Sequence, residues 1–296
     1  LSDDLDEIVI TGTMKEVKKS DSPVPIEIYT SKYFKKNPTP SLFDALQLIN
    51  GVQPQLNCNV CNTGDIHING MEGPYTMILI DGMPIVSSLS TVYGLSGIPN
   101  SLIERIEVVK GPASSLYGTE AMGGIINVIT KSPKNAPKLA LDAFSTSWLE
   151  TNLDGGFTYK MGSRINNLFG FNYFNYGTTK DLNHDGFTDV TQQNRITLFN
   201  KMDWTREQNR EASFALRYLY EDRWGGQTNW KRKEHRGSDD VYGESIITNR
   251  IEAIGLYEIP IQEKIITQFS ANYHHQNSFY GPESYQGKQF VLFGQA

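Results

Sequence analysis

Cysteine is nearly absent from the 296 residues, with Cys58 and Cys61 the only two. That excludes a disulfide-dense scaffold, and the lack of a second pair leaves no complete four-cysteine zinc site. No window of 18 or more apolar residues occurs, which excludes a transmembrane helix. It does not exclude barrel strands, whose lipid-facing residues alternate with others and escape hydropathy plots. Basic residues are not in excess: 27 Lys and Arg stand against 33 Asp and Glu, a formal charge of −6. No electrostatic footprint for nucleic acid follows from that balance. The signatures HExxH, GxSxG, GxxxxGK[ST] and GxGxxG are missing as well, so no enzyme is read here. His67, His184, His235, His274 and His275 are scattered, and in a strand the last two point to opposite faces.

Aromatic residues and glycine are plentiful (15 Tyr, 14 Phe, 4 Trp, 26 Gly), a mix that suits strands and turns. Residues 1–7 carry neither a basic n-region nor an apolar h-region, so a removed signal peptide or an internal start is expected. Next comes an isolated apolar cluster, Ile8, Val9 and Ile10, and then a short strand over 24–29. Leu42, Ala45, Leu46 and Ile49 have helical spacing. Thr39 is its expected N-cap, Pro40 its first residue and Gly51 its left-handed stop. Strands are expected at 66–69 and 76–80, with turns at 70–74 and at Asp81-Gly82. Ile106, Val108 and Val109 alternate with Glu107 and Lys110, which predicts a half-buried strand. Ala113 to Leu116 has room for one helical turn, and Ile125 to Ile129 is another strand.

After a Pro-, Lys- and Asn-containing linker the chain becomes a series of alternating strands. Ile196, Leu198, Met202 and Trp204 oppose Arg195, Thr197, Lys201 and Asp203; Phe214, Leu216, Tyr218 and Tyr220 oppose Ser213, Arg217 and Glu221. A soluble sandwich alternates in the same way. Short connections (161–164, 205–211, 260–264) alternating with long ones (177–194, 222–248) favour a transmembrane barrel. About seven strands and the start of an eighth at 290–293 are expected. Within the first long connection, Asp181, Asn183, Asp185, the Phe187 carbonyl and Asp189 have the spacing of calcium ligands around Gly186, with Gln192 where a bidentate Glu is usual. A polar turn has the same composition. Calcium is the expectation, because three carboxylates within nine residues repel one another unless neutralised.

The strings RIEVVKGPASSLYGTEAMGGIINVITK (105–131) and INGMEGPYTMILIDGMPI (68–85) resemble the plug domain of TonB-dependent outer-membrane receptors. The resemblance implies an α+β plug domain over 23–132 and a linker at 133–137. Residues 138–296 would then be the first strands of a transmembrane antiparallel β-barrel. About 22 strands are expected in a complete barrel, so about a third is present, since an open edge facing lipid is forbidden. In the N-terminal segment 1–22, Asp6, Glu7, Ile8, Val9, Ile10 and Thr11 resemble the TonB box. That segment is expected to be mobile and to add a strand to the periplasmic energy-coupling protein.

An outer-membrane location in a Gram-negative bacterium, in contact with membrane lipid, is implied too. Its oxidising surroundings favour a Cys58–Cys61 disulfide over half a zinc site or redox chemistry. The function implied is energy-coupled uptake of a metal chelate, whether siderophore, haem or cobalamin. The calcium-type loop tilts the ligand toward cobalamin, because cobalamin receptors of this superfamily carry a calcium-ordered loop. Trp224, Trp230 and Tyr242 in the second long connection are the expected contacts for substrate or for a surface lipoprotein partner. The alternative is a secreted calcium-binding β-rich adhesin or carbohydrate-binding module, which explains the alternation but neither of the two strings.

Overall fold

Short apolar runs between turn formers dictate the first part of the molecule. A computed structural model describes residues 8–13, 17–36, 39, 41–58, 60, 63–84, 95, 98–112 and 117–296. The chain divides into two compact units, 1–57 with 64–131, and 58–63 with 132–296. No helix among the described residues is long and apolar enough to cross a membrane.

The first unit begins with a two-stranded ladder, β1 (Ile8–Val9) against β2 (Val17–Lys18). After β3 (Ile26–Thr30) come two short helices, α1 (Ser31–Lys35) and α2 (Leu42–Ala45). Ser41, and not Thr39, caps α2: its side chain accepts from the Asp44 N–H at 3.2 Å, while the Thr39 hydroxyl donates to the Ser41 carbonyl. Pro40 lies outside the described residues. The helical spacing did mark a buried stripe, since Leu42, Ala45, Leu46 and Ile49 are all buried, and Gly51 takes the expected left-handed backbone at φ +74°.

β4 (Val52–Cys58) and β5 (Thr63–Ile68) form a separate hairpin. β6 (Thr76–Ile80), β7 (Met83–Pro84), β8 (Ile103–Lys110) and β9 (Gly124–Thr130) complete a mixed sheet with β3, in the order β3-β8-β9-β6-β7. β9 runs parallel to β6 and antiparallel to β8. Every residue of β6 and β9 is buried, as befits strands covered on both faces. The half-buried reading of β8 is corrected here. Glu107 has no exposed surface, because this sheet is covered on the face where alternation alone would place solvent.

The second unit is one antiparallel meander of eight strands in sequence order. These are β10 (Leu139–Ser145), β11 (Thr151–Met161), β12 (Ile165–Tyr176), β13 (Gln192–Trp204), β14 (Ala212–Gly226), β15 (Gly243–Glu258), β16 (Ile266–Tyr280) and β17 (Glu283–Gln295). Ladder pairing carries β14 and β15 past the expected strand ends, so the second long connection shrinks from 222–248 to 227–242. The eighth strand is full length. The β16–β17 connection is a two-residue turn at Gly281 and Pro282, which breaks the alternation of long and short connections on that side.

The two faces of this sheet are inside-out relative to a water-soluble sandwich. Asn152, Asp154, Arg195, Thr197, Arg217, Glu221, Arg250, Glu252, Asn272 and His274 lie on the buried face. Leu153, Phe157, Ile196, Leu198, Leu216, Ile251 and Phe269 are exposed on the other. Tyr159, Trp204 and Tyr257 lie on that apolar face toward the short connections, and Tyr173 and Tyr220 lie toward the long ones. An apolar band between aromatic ends is the surface that a bilayer, not water, accommodates.

Candidate functional site

The N-terminal cluster is docked, not free. Val9 is fully buried with Ile26, Met77, Leu79, Val109, Ala121 and Ile125, and Val17, Val24, Ile28 and Tyr117 pack around them. Burying one valine side chain contributes roughly 1.5–3 kcal/mol. The backbone amides that follow are enclosed and need an acceptor, and Glu107 supplies it. Its Oε2 accepts from the N–H of Ile10 and of Thr11, both at 2.9 Å, and from the Thr11 hydroxyl at 2.6 Å. Its Oε1 takes the Arg105 guanidinium, with Nη2 at 2.8 Å. Asn127, opposite Glu107 across the β8–β9 ladder, donates to Thr11 Oγ1 at 3.0 Å and accepts from the Gly82 N–H. The Tyr117 hydroxyl donates to the Thr11 carbonyl at 3.1 Å. Burial, with a smaller push from the Glu107 charge, raises the Tyr117 hydroxyl to about 12.

Expected mobility is therefore corrected for residues 8–13: one apolar side chain and two amides find a prepared seat. Asp6 and Glu7 lie outside the described residues. Sequence reasoning missed Glu107, Asn127 and Tyr117. A signal for one of them was available, since Asn127 interrupts an otherwise apolar run, Ile125-Ile126-Asn127-Val128-Ile129, and a buried amide demands partners.

Two long connections of the second unit form one assembly. Phe187 and Gln227 make an isolated antiparallel bridge. The Thr188 N–H donates to the Gly226 carbonyl at 2.8 Å, and the Thr228 N–H donates to the Gly186 carbonyl at 2.9 Å. Within 181–189 the carboxylates are already engaged. Asp181 accepts from the N–H groups of Asp185 and Gly186, Asp185 from that of Phe187, and Asp189 from that of Leu182. The Asn183 side chain bonds Asp185. Repulsion among these carboxylates is thus met by backbone donors, and among the described residues no group of three or more His, Cys, Asp or Glu side chains is arranged to hold a metal ion.

Of the aromatic candidates, Trp224 lies under the Arg232 guanidinium, 4.6 Å from its ring centre. Trp230 packs over Gly243, where a Cβ would collide with its indole. Tyr242 is exposed, its hydroxyl donating to Glu244 at 2.8 Å, and that bond raises its ionisation above the usual range. Arg232 and Arg236 both bind the buried Asp222 carboxylate, at 3.2 and 2.6 Å. They fasten the 227–242 loop to its strand, a role that the sequence did not reveal. Cys61 and the Cys58 side chain lie outside the described residues, so the expected disulfide does too.

Comparison with known proteins fits this geometry. Residues 18–125 match the family model "TonB-dependent Receptor Plug Domain". The ferric enterobactin receptor PirA of Pseudomonas aeruginosa is 32% identical over 164 residues, 51% of this chain and 22% of that protein. Among solved structures, a ferric enterobactin receptor (PfeA) variant from Pseudomonas aeruginosa is similar with a TM-score of 0.63 at 16% identity, covering 97% of this chain and 47% of that one. The siderophore receptor PiuA from Acinetobacter baumannii gives 0.65 at 16% identity, with 88% and 38% covered. The chain spans less than half the length of these relatives. None of them carries cobalamin or haem in its name, so the tilt toward cobalamin gains nothing from them.

Proposed function

We propose, from a TonB-dependent receptor plug domain followed in one chain by eight barrel strands, that the whole protein imports a ferric siderophore across the outer membrane of a Gram-negative bacterium. The observation that carries this reading is the inside-out sheet that follows the plug in the chain. Buried Arg195, Arg217, Glu221 and Glu252 back a face of exposed Leu, Ile and Phe, which suits lipid outside and a polar lumen within. Names of the relatives favour a ferric siderophore of the enterobactin kind as substrate. Uptake makes and breaks no bond in the cargo, so selectivity falls to the outer loops.

Energy enters through the N-terminal segment. A periplasmic coupling protein of the TonB type pairs with the chain around Ile8 by strand addition and pulls on it. Because Thr11 is tied to Glu107 and Asn127 on the central strands, tension there acts on the plug's core sheet.

The test is uptake of radiolabelled ferric enterobactin, haem and cobalamin by a receptor-deleted strain complemented with the full-length gene. Energy-dependent uptake of ferric enterobactin alone is expected. Uptake of none of the three sinks the transport reading, and uptake of cobalamin or haem instead sinks the substrate assignment.

A further inference from the structure

We propose that the short-connection rim of the eight-stranded sheet holds a phospholipid headgroup, its phosphate bound by Arg164 and Arg210. The inference rests on the membrane-spanning reading above. Three neighbouring connections, 162–164, 205–211 and 259–265, enclose a cavity of about 530 Å³ lined by Arg164, Trp204, Arg206, Glu207 and Arg210. Three guanidinium groups face one carboxylate there, so the cavity favours an anion.

The arginines have different tasks. Arg206 is spent on structure: its Nη1 donates to the carbonyls of Glu211 (3.1 Å) and Glu258 (2.6 Å) and its Nη2 to the Tyr257 hydroxyl (3.0 Å). Its guanidinium also stacks 4.1 Å from the Tyr257 ring centre. It forms a rigid, charged floor. Arg210 makes one bond, Nη2 to the Ile261 carbonyl at 3.3 Å, and its remaining donors are available. Arg164 is exposed and its side chain has no partner among the described residues. The Arg164 backbone is nonetheless held, because its carbonyl accepts the Thr205 N–H at 2.7 Å. Two donors on fixed backbone, flanking a pinned third charge, match a phosphodiester.

Position selects lipid over soluble phosphate. Trp204 and Tyr257 belong to the aromatic end of the apolar face, the level at which headgroups sit against a barrel. Exposed Met161 and Tyr159 continue that face toward its middle, a path for acyl chains. Glu207, on the cavity wall, is placed to pair with an amine on the headgroup.

The experiment is native mass spectrometry of the full-length receptor, delipidated in detergent and given phosphatidylethanolamine, phosphatidylglycerol or inorganic phosphate. The parent should retain one more phospholipid than the Arg164→Gln/Arg210→Gln double variant, with apparent affinity lowered about tenfold or more by losing two basic contacts. Preference for phosphatidylethanolamine that Glu207→Gln removes supports the orientation. Equal retention by parent and double variant overturns the site, and so does full competition by equimolar inorganic phosphate. Heat-modifiable migration of the parent separates the two levels. A barrel that inserts but ignores the arginines refutes this site alone, whereas a chain that stays soluble without detergent refutes the membrane reading.

Discussion

The hydroxyl of Thr11 and the carboxylate of Glu107 lie 2.6 Å apart, 96 residues apart in sequence and wholly buried. The same carboxylate oxygen also takes two backbone amides, so three of the bonds that tie the N-terminal segment to the central sheet converge on one acceptor. Glu107→Gln keeps the size but removes the charge and leaves Arg105 without its inner partner. We expect a loss on the order of 3 kcal/mol in the attachment of residues 8–13. Hydrogen exchange at Ile10 and Thr11 checks this, and unchanged protection would refute it.

Ile8 and Val9 separate two roles. Ile8 is exposed and Val9 fully buried, so a substitution at Val9 damages the core whatever else it does. Ile8→Pro removes one backbone donor from the outer end of the segment while sparing the buried cluster. Transport should fall to the level of an uncoupled strain, with siderophore binding to intact cells unchanged. Parallel loss of binding would assign the segment a purely structural role.

Tyr117 sets an alkaline limit. Its ionisation is raised from the usual value near 10 to about 12, so the folded state favours the neutral hydroxyl that bonds the Thr11 carbonyl. That contribution is complete below pH ~10 and is lost as pH rises through about 12. Ultraviolet titration of the tyrosinate band should lose one tyrosine's worth of the component near pH 12 in Tyr117→Phe. A spectrum unchanged by the substitution would contradict the assignment.

Glu252 is the carboxylate shared by two buried arginines on neighbouring strands. Arg217 reaches its Oε2 at 2.6 Å and Arg250 its Oε1. Removing the shared partner's charge in Glu252→Gln leaves two buried guanidinium groups without their carboxylate, a cost of about 3–5 kcal/mol. The expected result is a lower unfolding temperature by heat-modifiability gels, largely restored by the further change Arg250→Met.

The 181–189 loop decides the calcium expectation. Asp181→Ala frees the N–H groups of Asp185 and Gly186 and should loosen the bridge from Phe187 to Gln227. Calorimetric titration of calcium into the parent and into Asp185→Ala is the measurement. Binding heat in the parent alone supports an ion at this loop; heat in neither leaves the hydrogen-bonded turn as its full account.

Period and punctuation in the sequence determined much of this molecule: the buried stripe of Leu42, Ala45, Leu46 and Ile49, the run of β9, and the apolar and polar faces of strands such as β13 and β14. These are local properties, because a residue's neighbours at two, three or four positions settle which side it shares. Which side is wet is not local. Only tertiary structure decided that Arg195 and Glu252 are enclosed while Leu198 and Ile251 are exposed, since burial depends on what covers a face. The same reason hid Glu107. Alternation placed it opposite Ile106 and Val108 and so toward solvent, yet a segment almost a hundred residues earlier returns to cover that face and bonds its carboxylate. Strand ends at Gly226 and Gly243 likewise came from ladder partners and not from composition, for a charged, aromatic stretch stays extended as long as its neighbour supplies backbone donors and acceptors.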